Sequence, residues 1–278
     1  MAASCGVGLA GQGPRPAKEV AAVRRLARQL ADAGRAPARS EAHAEAVVLY
    51  SAEMDLWTGG RHLTAVLRAS ETLAAAHVQA PVVLRLQAAP REVPIVLADA
   101  AALSPADVKE LRRRLDAGQP VLAFGAPGEV DETGHAHAGV LPEGKPSGIR
   151  VGAGTLAQLP PLAPLGGEEP PDPAEVEKAL AAVLGRGRRA TGVVGRQPVL
   201  VVADRTASAL HVHLVSLGAE RAQGVTLFLG VKLAGGVRRA RFVSADGSDV
   251  RIPLNPSGNS LSTVLPAWQG YAVLSLAP

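Results

Sequence analysis

The stretch Val93–Gly134, VPIVLADAAALSPADVKELRRRLDAGQPVLAFGAPGEVDETG, decides the fold, because it holds a strand, a helix and a second strand with every boundary marked. Val93–Ala98 is a short, almost wholly apolar run, the pattern of a strand buried on both faces of a parallel sheet. Ser104 stands where an N-cap belongs, Pro105 and Asp107 occupy the first turn, and Leu103, Val108, Leu111 and Leu115 recur at helical spacing. Gly118 ends the helix. Val121–Gly125 is the second apolar run. Two parallel strands joined through a helix form the crossover unit from which open α/β sheets are built.

Working outward, Ala46–Tyr50 (AVVLY) reads as the first buried strand, Arg61–His77 as a helix and Pro81–Gln87 as the second strand, so that the opening unit supplies strands three and four. Gly148–Gly152 predicts a fifth strand, and the Pro-rich Leu159–Pro173 a linker or crossing. Asp172 caps a last helix, Pro173–Leu184, with Val176, Leu180 and Val183 on one stripe. Upstream, Lys18–Ala33 predicts an amphipathic helix with Val20, Val23, Leu26 and Leu30 on one side and Arg24, Arg25 and Arg28 on the other. Residues 1–16 are expected to form a disordered leader. Their string Gly6-Val-Gly8-Leu-Ala-Gly11 fits a dinucleotide-binding pattern, yet no strand can precede it and Gly13-Pro14 follows where a helix should open, so no cofactor site is read there.

From Thr191 onward the apolar period changes from helical to alternating. Val199–Ala203, Ala209–Leu217, Val225–Leu229, Val237–Val243, Val250–Leu254, Ser260–Leu265 and Tyr271–Leu276 are short strands divided by turn signals such as Asp246-Gly247 and Pro256-Ser257-Gly258, the signature of a small β-sandwich. The fold class expected is thus α/β plus all-β, with a parallel-sheet domain over 17–189 and a sandwich domain over 190–278.

Composition narrows the function. Apolar residues make up 47% and charged residues 19%, which excludes wholesale disorder. No apolar run is long enough to cross a membrane as a helix, and the N-terminus lacks the pattern of a secretory signal, so a cytoplasmic protein without a membrane partner is expected. Cys5 is the single cysteine, which rules out an internal disulfide and a thiolate metal cluster within one chain. The pairs His135/His137 and His211/His213 come with no third ligand placed by spacing, and no metal or other cofactor is expected. The clusters Arg112–Arg114, Arg186–Arg189 and Arg238–Arg241 suggest an anionic partner, with Arg112–Arg114 read as a solvated helix face. Aromatic residues are only 3%, too few to stack many bases, and no reading motif accompanies the charge, so nucleic acid is not expected.

In a doubly wound sheet the binding crevice lies outside the C-terminal ends of the strands. Glu53, Asp55 and Trp57 follow strand one, Asp99 follows strand three, and Glu129, Asp131 and Glu132 follow strand four. Carboxylates so placed suit a sugar or a cation; equally, acidic residues open loops and helices and a Trp packs at an interface. The turn after strand four reads Phe124-Gly125-Ala126-Pro127-Gly128, without the Cys or Ser that a nucleophile elbow needs.

Four segments, AVVLYSAEMDLW (Ala46–Trp57), LADAAALSPADVKELRRRLDAG (Leu97–Gly118), VLAFGAPGEVDETG (Val121–Gly134) and LHVHLVSL (Leu210–Leu217), resemble in pattern and order the region that follows the catalytic barrel in bacterial glycoside hydrolases of the β-galactosidase kind. The resemblance covers residues 40–278. It implies a flavodoxin- or amidotransferase-like trimerisation domain followed by a C-terminal β-sandwich. In those enzymes the acid and nucleophile glutamates belong to the barrel, for which no segment is read here, so catalysis by this chain alone is not expected. The resemblance implies a non-catalytic oligomerisation or accessory module that assembles with itself or with a glycoside-hydrolase barrel subunit, with Glu53, Asp55, Trp57 and Glu129 at a wall between protomers. The alternative is a stand-alone carbohydrate- or small-ligand-binding protein that uses the crevice beside Glu53 and Asp99.

Overall fold

A computed structural model describes residues 41–131, 134–136, 141–162, 171–185, 190–195, 199–206, 209–216 and 220–278. The expected leader and the helix expected over 18–33 lie outside these residues, as do Glu132, His137 and Arg186–Arg189. The described residues divide into two units, one within 44–190 and the other within 191–278 together with 41–43. Strand β1 (Glu41–Ala42) belongs to the second, where it pairs with a later strand.

The first unit contains β2 (Val47–Leu49), α1 (Ala52–Trp57), α2 (Arg61–Ala75), β3 (Val82–Val83), β4 (Ile95–Ala98), α3 (Pro105–Asp116), β5 (Val121–Phe124), β6 (Ile149–Val151), β7 (Gly154–Leu159) and α4 (Pro173–Leu184). They build one sheet in the order β3-β2-β4-β5-β7-β6, parallel except for β6. Every residue of β2, β4 and β5 is buried because alternate side chains feed two cores. Val48, Val96, Ala98, Leu122 and Phe124 meet Ala65, Val66, Ala69 and Leu73 of α2 and Val176, Leu180 and Val183 of α4. Val47, Leu49, Ile95, Leu97, Val121 and Ala123 meet Val108, Leu111 and Leu115 of α3 on the other side. A strand covered on both faces has no polar position to fill, hence the unbroken apolar runs.

Helix α3 begins as its sequence predicts. The Ser104 hydroxyl accepts the Asp107 N–H at 3.1 Å, and Pro105 fills the first turn, where no N–H partner is needed. Three expectations are corrected. The second strand narrows from Pro81–Gln87 to Val82–Val83 at the sheet edge, because the chain turns into a 3-10 helix at Leu86–Ala88 that buries Leu86. The fifth parallel strand is Gly154–Leu159, and the predicted strand around Gly148–Gly152 is the antiparallel β6 beside it. Arg114 does not lie on the solvated face of α3; it is buried, donating to Glu110 at 2.7 Å and to the Ala89 carbonyl at 3.0 Å. Arg112 and Arg113 are exposed as read.

The second unit holds β8 (Thr191–Val194), β9 (Val199–Arg205), β10 (Leu210–Ser216), β11 (Thr226–Gly230), the single turn α5 (Val231–Ala234), β12 (Arg239–Ser244), β13 (Asp249–Ile252), β14 (Asn255–Ser257), β15 (Ser260–Val264) and β16 (Tyr271–Ala277). They form two antiparallel sheets, β1-β9-β10-β16-β12-β13 and β14-β15-β11-β8. Leu210, Val212 and Leu214 are buried while His211, His213 and Val215 between them are half-buried, the period-two pattern of a sheet with one core face. Leu227 and Leu229 do the same for the second sheet, and Phe242 meets the buried Trp268 edge-on at 5.9 Å. Two sheets of this kind are consistent with a β-sandwich.

Candidate functional site

Leu49, Ala98, Phe124 and Leu159 end β2, β4, β5 and β7, and the chain beyond each forms the C-terminal edge of the parallel sheet. Of the residues that directly follow these strands, two have positive φ. Asp99 adopts φ 46°, a conformation that Asp tolerates better than most residues, and Gly125 adopts φ 73°. The Asp99 N–H reaches the Phe124 carbonyl at 2.9 Å and the Gly125 N–H reaches that of Leu159 at 3.0 Å, so each elbow extends the ladder by one bond before the chain leaves. A methyl group on Gly125 would stand 3.3 Å from Asp99 Oδ1 and 3.4 Å from Pro161 Cβ. Glycine is what lets the carboxylate and the proline close over this turn.

A cleft of about 530 Å³ opens here, bordered by Asp99, Gly125, Glu129, Glu143, Gln158 and Pro161. Asp99 Oδ1 accepts the Leu162 N–H at 2.9 Å. Burial pushes the Asp99 carboxyl up to about 6, against the opposing pull of the Leu162 N–H and the Arg68 charge. Gln158 Oε1 accepts the Gly144 N–H at 2.6 Å and fixes the loop on the far wall. Carboxylates and a side-chain amide facing one cleft suit a ligand rich in hydroxyl or ammonium donors.

The neighbouring crevice, between the ends of β2 and β4 where the strand order reverses, is occupied by the protein's own His62. This buried imidazole accepts the Ser51 N–H at Nε2 (3.1 Å) and lies with Nδ1 3.1 Å from the Ala98 carbonyl, which fixes the neutral tautomer with its proton on Nδ1. Tyr50 stacks on the ring at 5.5 Å. The sequence offers no sign of this plug, since a lone His on a helix does not reveal which strand ends it will reach.

The structure therefore sorts the five sequence candidates. Asp99 and Glu129 come together in the cleft. Asp55 caps instead: Oδ1 accepts the Leu63 N–H at 2.7 Å at the start of α2, where Gly60 has no side chain to do so, and Oδ2 receives the Tyr50 hydroxyl at 3.3 Å. Glu53 is exposed in the first turn of α1, the end of a helix dipole that favours an acidic residue. Trp57 is half-exposed, and a methyl group on Gly134 would lie 3.9 Å from its indole, so it borders the loop that follows Glu129 rather than the cleft. Glu143 and Gln158, which the sequence reading did not single out, complete the cleft.

Elsewhere, His213 Nε2 lies 3.0 Å from Asp204 Oδ1, and its Nδ1 meets the Tyr271 hydroxyl, while His211 Nδ1 meets Ser275 Oγ at 3.1 Å. Among the described residues no group of three His, Cys, Asp or Glu side chains could hold a metal ion, and no helix is long and apolar enough to cross a membrane.

No protein-family model matches the chain, and no curated protein matches it. Solved structures do. They include α-L-fucosidase isoenzyme 2 from Paenibacillus thiaminolyticus, at 11% identity and a TM-score of 0.59, covering 90% of this chain and 51% of that one. A β-galactosidase from Rahnella sp. R3 gives 12% and 0.55, covering 94% and 44%. A GH42 exo-carrageenase from Bacteroides ovatus gives 16% and 0.51, covering 84% and 29%. The chain thus spans between 29% and 51% of these three structures. At such identities the likeness is one of fold: this chain is built like part of GH42 β-galactosidases and related glycoside hydrolases.

Proposed function

We propose that the chain is a non-catalytic oligomerisation or accessory module that acts by protein–protein assembly, comparable to the portion of β-galactosidase-like glycoside hydrolases outside their catalytic barrel. In this reading the first unit is an amidotransferase-like domain. Its parallel strands, numbered along the chain, lie in the order 2-1-3-4-5, which is also the order of flavodoxin-like sheets. The observation that carries the reading is an apolar surface on α1 and α2. Leu56 is 84% exposed, Leu67 53%, Trp57 46% and Leu63 45%. Large apolar side chains grouped on adjacent helices mark a surface that another protein covers. The test is light scattering of the chain alone and mixed with a glycoside-hydrolase barrel protein encoded beside it. A multimer or a stable complex is expected; a monomer that ignores the barrel counts against the reading.

A second reading is favoured by the cleft at Asp99: a carbohydrate or other small, donor-rich ligand held at the sheet's C-terminal edge. Titration with mono- and oligosaccharides should then raise the melting temperature, since a ligand selective for the folded state stabilises it by mass action. The same titration with Glu129→Gln should give a smaller rise.

A further inference from the structure

The six-stranded sheet of the second unit turns Leu210, Val212 and Leu214 to its core and presents a chemically graded row on the opposite face. Asp204 stands opposite His211, His211 opposite Ser275, Ser275 opposite Arg241, and Arg241 opposite Arg251. One straight line thus crosses five strands, from a carboxylate through neutral hydroxyl and imidazole groups to guanidinium groups. Arg239, two residues before Arg241 on β12, shares its face.

Three arginines therefore crowd one corner, about 7 Å apart along the strand and about 5 Å across it. Like charges directly opposite one another on a sheet are unfavourable. Among the described residues of β12, β13 and β16, this face carries one acid, Asp249, and Arg241 donates to it with Nε and a terminal nitrogen, at 2.8 and 2.6 Å. The side chains of Arg239 and Arg251 are exposed. Two guanidinium groups flanking a neutralised third form a site for anionic groups, because their planar forks pair with sulfate and carboxylate oxygens.

We propose that this sheet face binds an acidic polysaccharide, with sulfate or carboxylate groups on Arg239 and Arg251 and neutral sugar hydroxyls along Ser275 and His211. His211 suits the neutral stretch: burial lowers its affinity for a proton, against the opposing pull of Asp204 and with a smaller push from His213. Asp204 closes the row at the other end and repels further anions, so the chain has a preferred direction. Nucleic acid fits less well, since Tyr271, the aromatic side chain on this face, meets the His213 imidazole with ring and hydroxyl and presents no platform for a base. The site lies wholly in the second unit and does not rest on the assembly reading.

The experiment is binding of dextran sulfate, neutral dextran and a single-stranded oligonucleotide to the full chain, at low and at physiological ionic strength. Arg239→Gln/Arg251→Gln is compared with Arg85→Gln/Arg91→Gln, which removes the same charge from exposed positions of the other unit. Both pairs are exposed, and thermal unfolding checks that both variants fold. Dextran sulfate should bind with a marked salt dependence, weakened about tenfold by the first pair and about twofold by the second. The proposal is overturned by any of three results: equal losses in the two variants, neutral dextran binding as well as dextran sulfate, or oligonucleotide binding at least as tightly.

Discussion

His62 Nε2 lies 3.1 Å from the backbone nitrogen of Ser51 and accepts its hydrogen, while the opposite nitrogen of the ring reaches the Ala98 carbonyl. One side chain thereby joins Ser51, just past β2, to Ala98, which ends β4. Doubly wound sheets bind ligands in this gap, and here the imidazole fills it.

Removing the plug should be costly. His62→Ala leaves a part-buried N–H and a buried carbonyl without their partner and opens a cavity, a combination worth about 3 kcal/mol. Urea unfolding of the variant at neutral pH measures it; a loss below about 1 kcal/mol would mean that water replaces the imidazole at little cost.

The same residue makes stability depend on pH. Burial lowers the proton affinity of His62 in the fold, against the smaller opposing pull of Ala98 and Asp55, from 6.5 as the reference for the unfolded chain. A base whose affinity falls on folding contributes stability above the unfolded value that is lost as pH drops toward the folded one. The His62 contribution should fall from pH 6.5 downward, and the part of the wild-type pH dependence owed to it should vanish in His62→Ala.

Asp99 works with the opposite sign. Its carboxyl rises from 3.8 to about 6 on folding, so its contribution is complete below 3.8 and is lost as pH rises through 6. Asp99→Asn retains an acceptor for the Leu162 N–H and tolerates the left-handed backbone. It should match wild type in acid and exceed it in melting temperature at pH 7.5; equal melting temperatures at both would show that Asp99 is well solvated.

Asp55→Ala deprives the Leu63 N–H of its acceptor at a helix start whose cap residue, Gly60, has no side chain. A loss of about 1 kcal/mol is expected, with faster amide exchange in the first turn of α2. Asp55→Asn, which can still accept, should recover most of it.

How much of this was legible in the sequence depends on where the controlling contact lies. Ser104, Pro105 and Gly118 bound a helix through local chemistry, and α3 could be read almost to the residue. The alternating strands of the second unit were legible for the same reason, since period two reports a half-buried sheet. β7 was not, because it opens on Gly154, which reads as loop. A Cβ there would lie 2.6 Å from the Leu115 carbonyl oxygen and 2.8 Å from that of Gln119, so the glycine answers to the end of α3, a contact invisible along the chain. Arg114 and His62 escaped likewise: the carbonyl of Ala89 and the strand ends at Ser51 and Ala98 become their partners only once the sheet exists. Of the cleft, Asp99 and Glu129 followed from strand order, whereas Glu143 and Gln158 depended on the unread β7.

Gly154→Ala tests that contact directly. Two backbone oxygens inside normal contact distance have no flexible side chain to give way, so the substitution should cost more than about 3 kcal/mol or prevent soluble expression. A variant that unfolds like wild type would show that α3 and β7 can move apart freely.

The measurement that bears most directly on the proposed role is the light-scattering mass of wild type beside Leu56→Ser/Leu67→Ser, over a dilution series. Both leucines are exposed, so their loss should leave the unfolding free energy of the fold unchanged within about 0.5 kcal/mol. A wild-type multimer, or a complex with a barrel protein, that the double variant cannot form is the result expected of an assembly module. A wild type that stays monomeric, alone and with the barrel, or a variant that assembles as well as wild type, would contradict it.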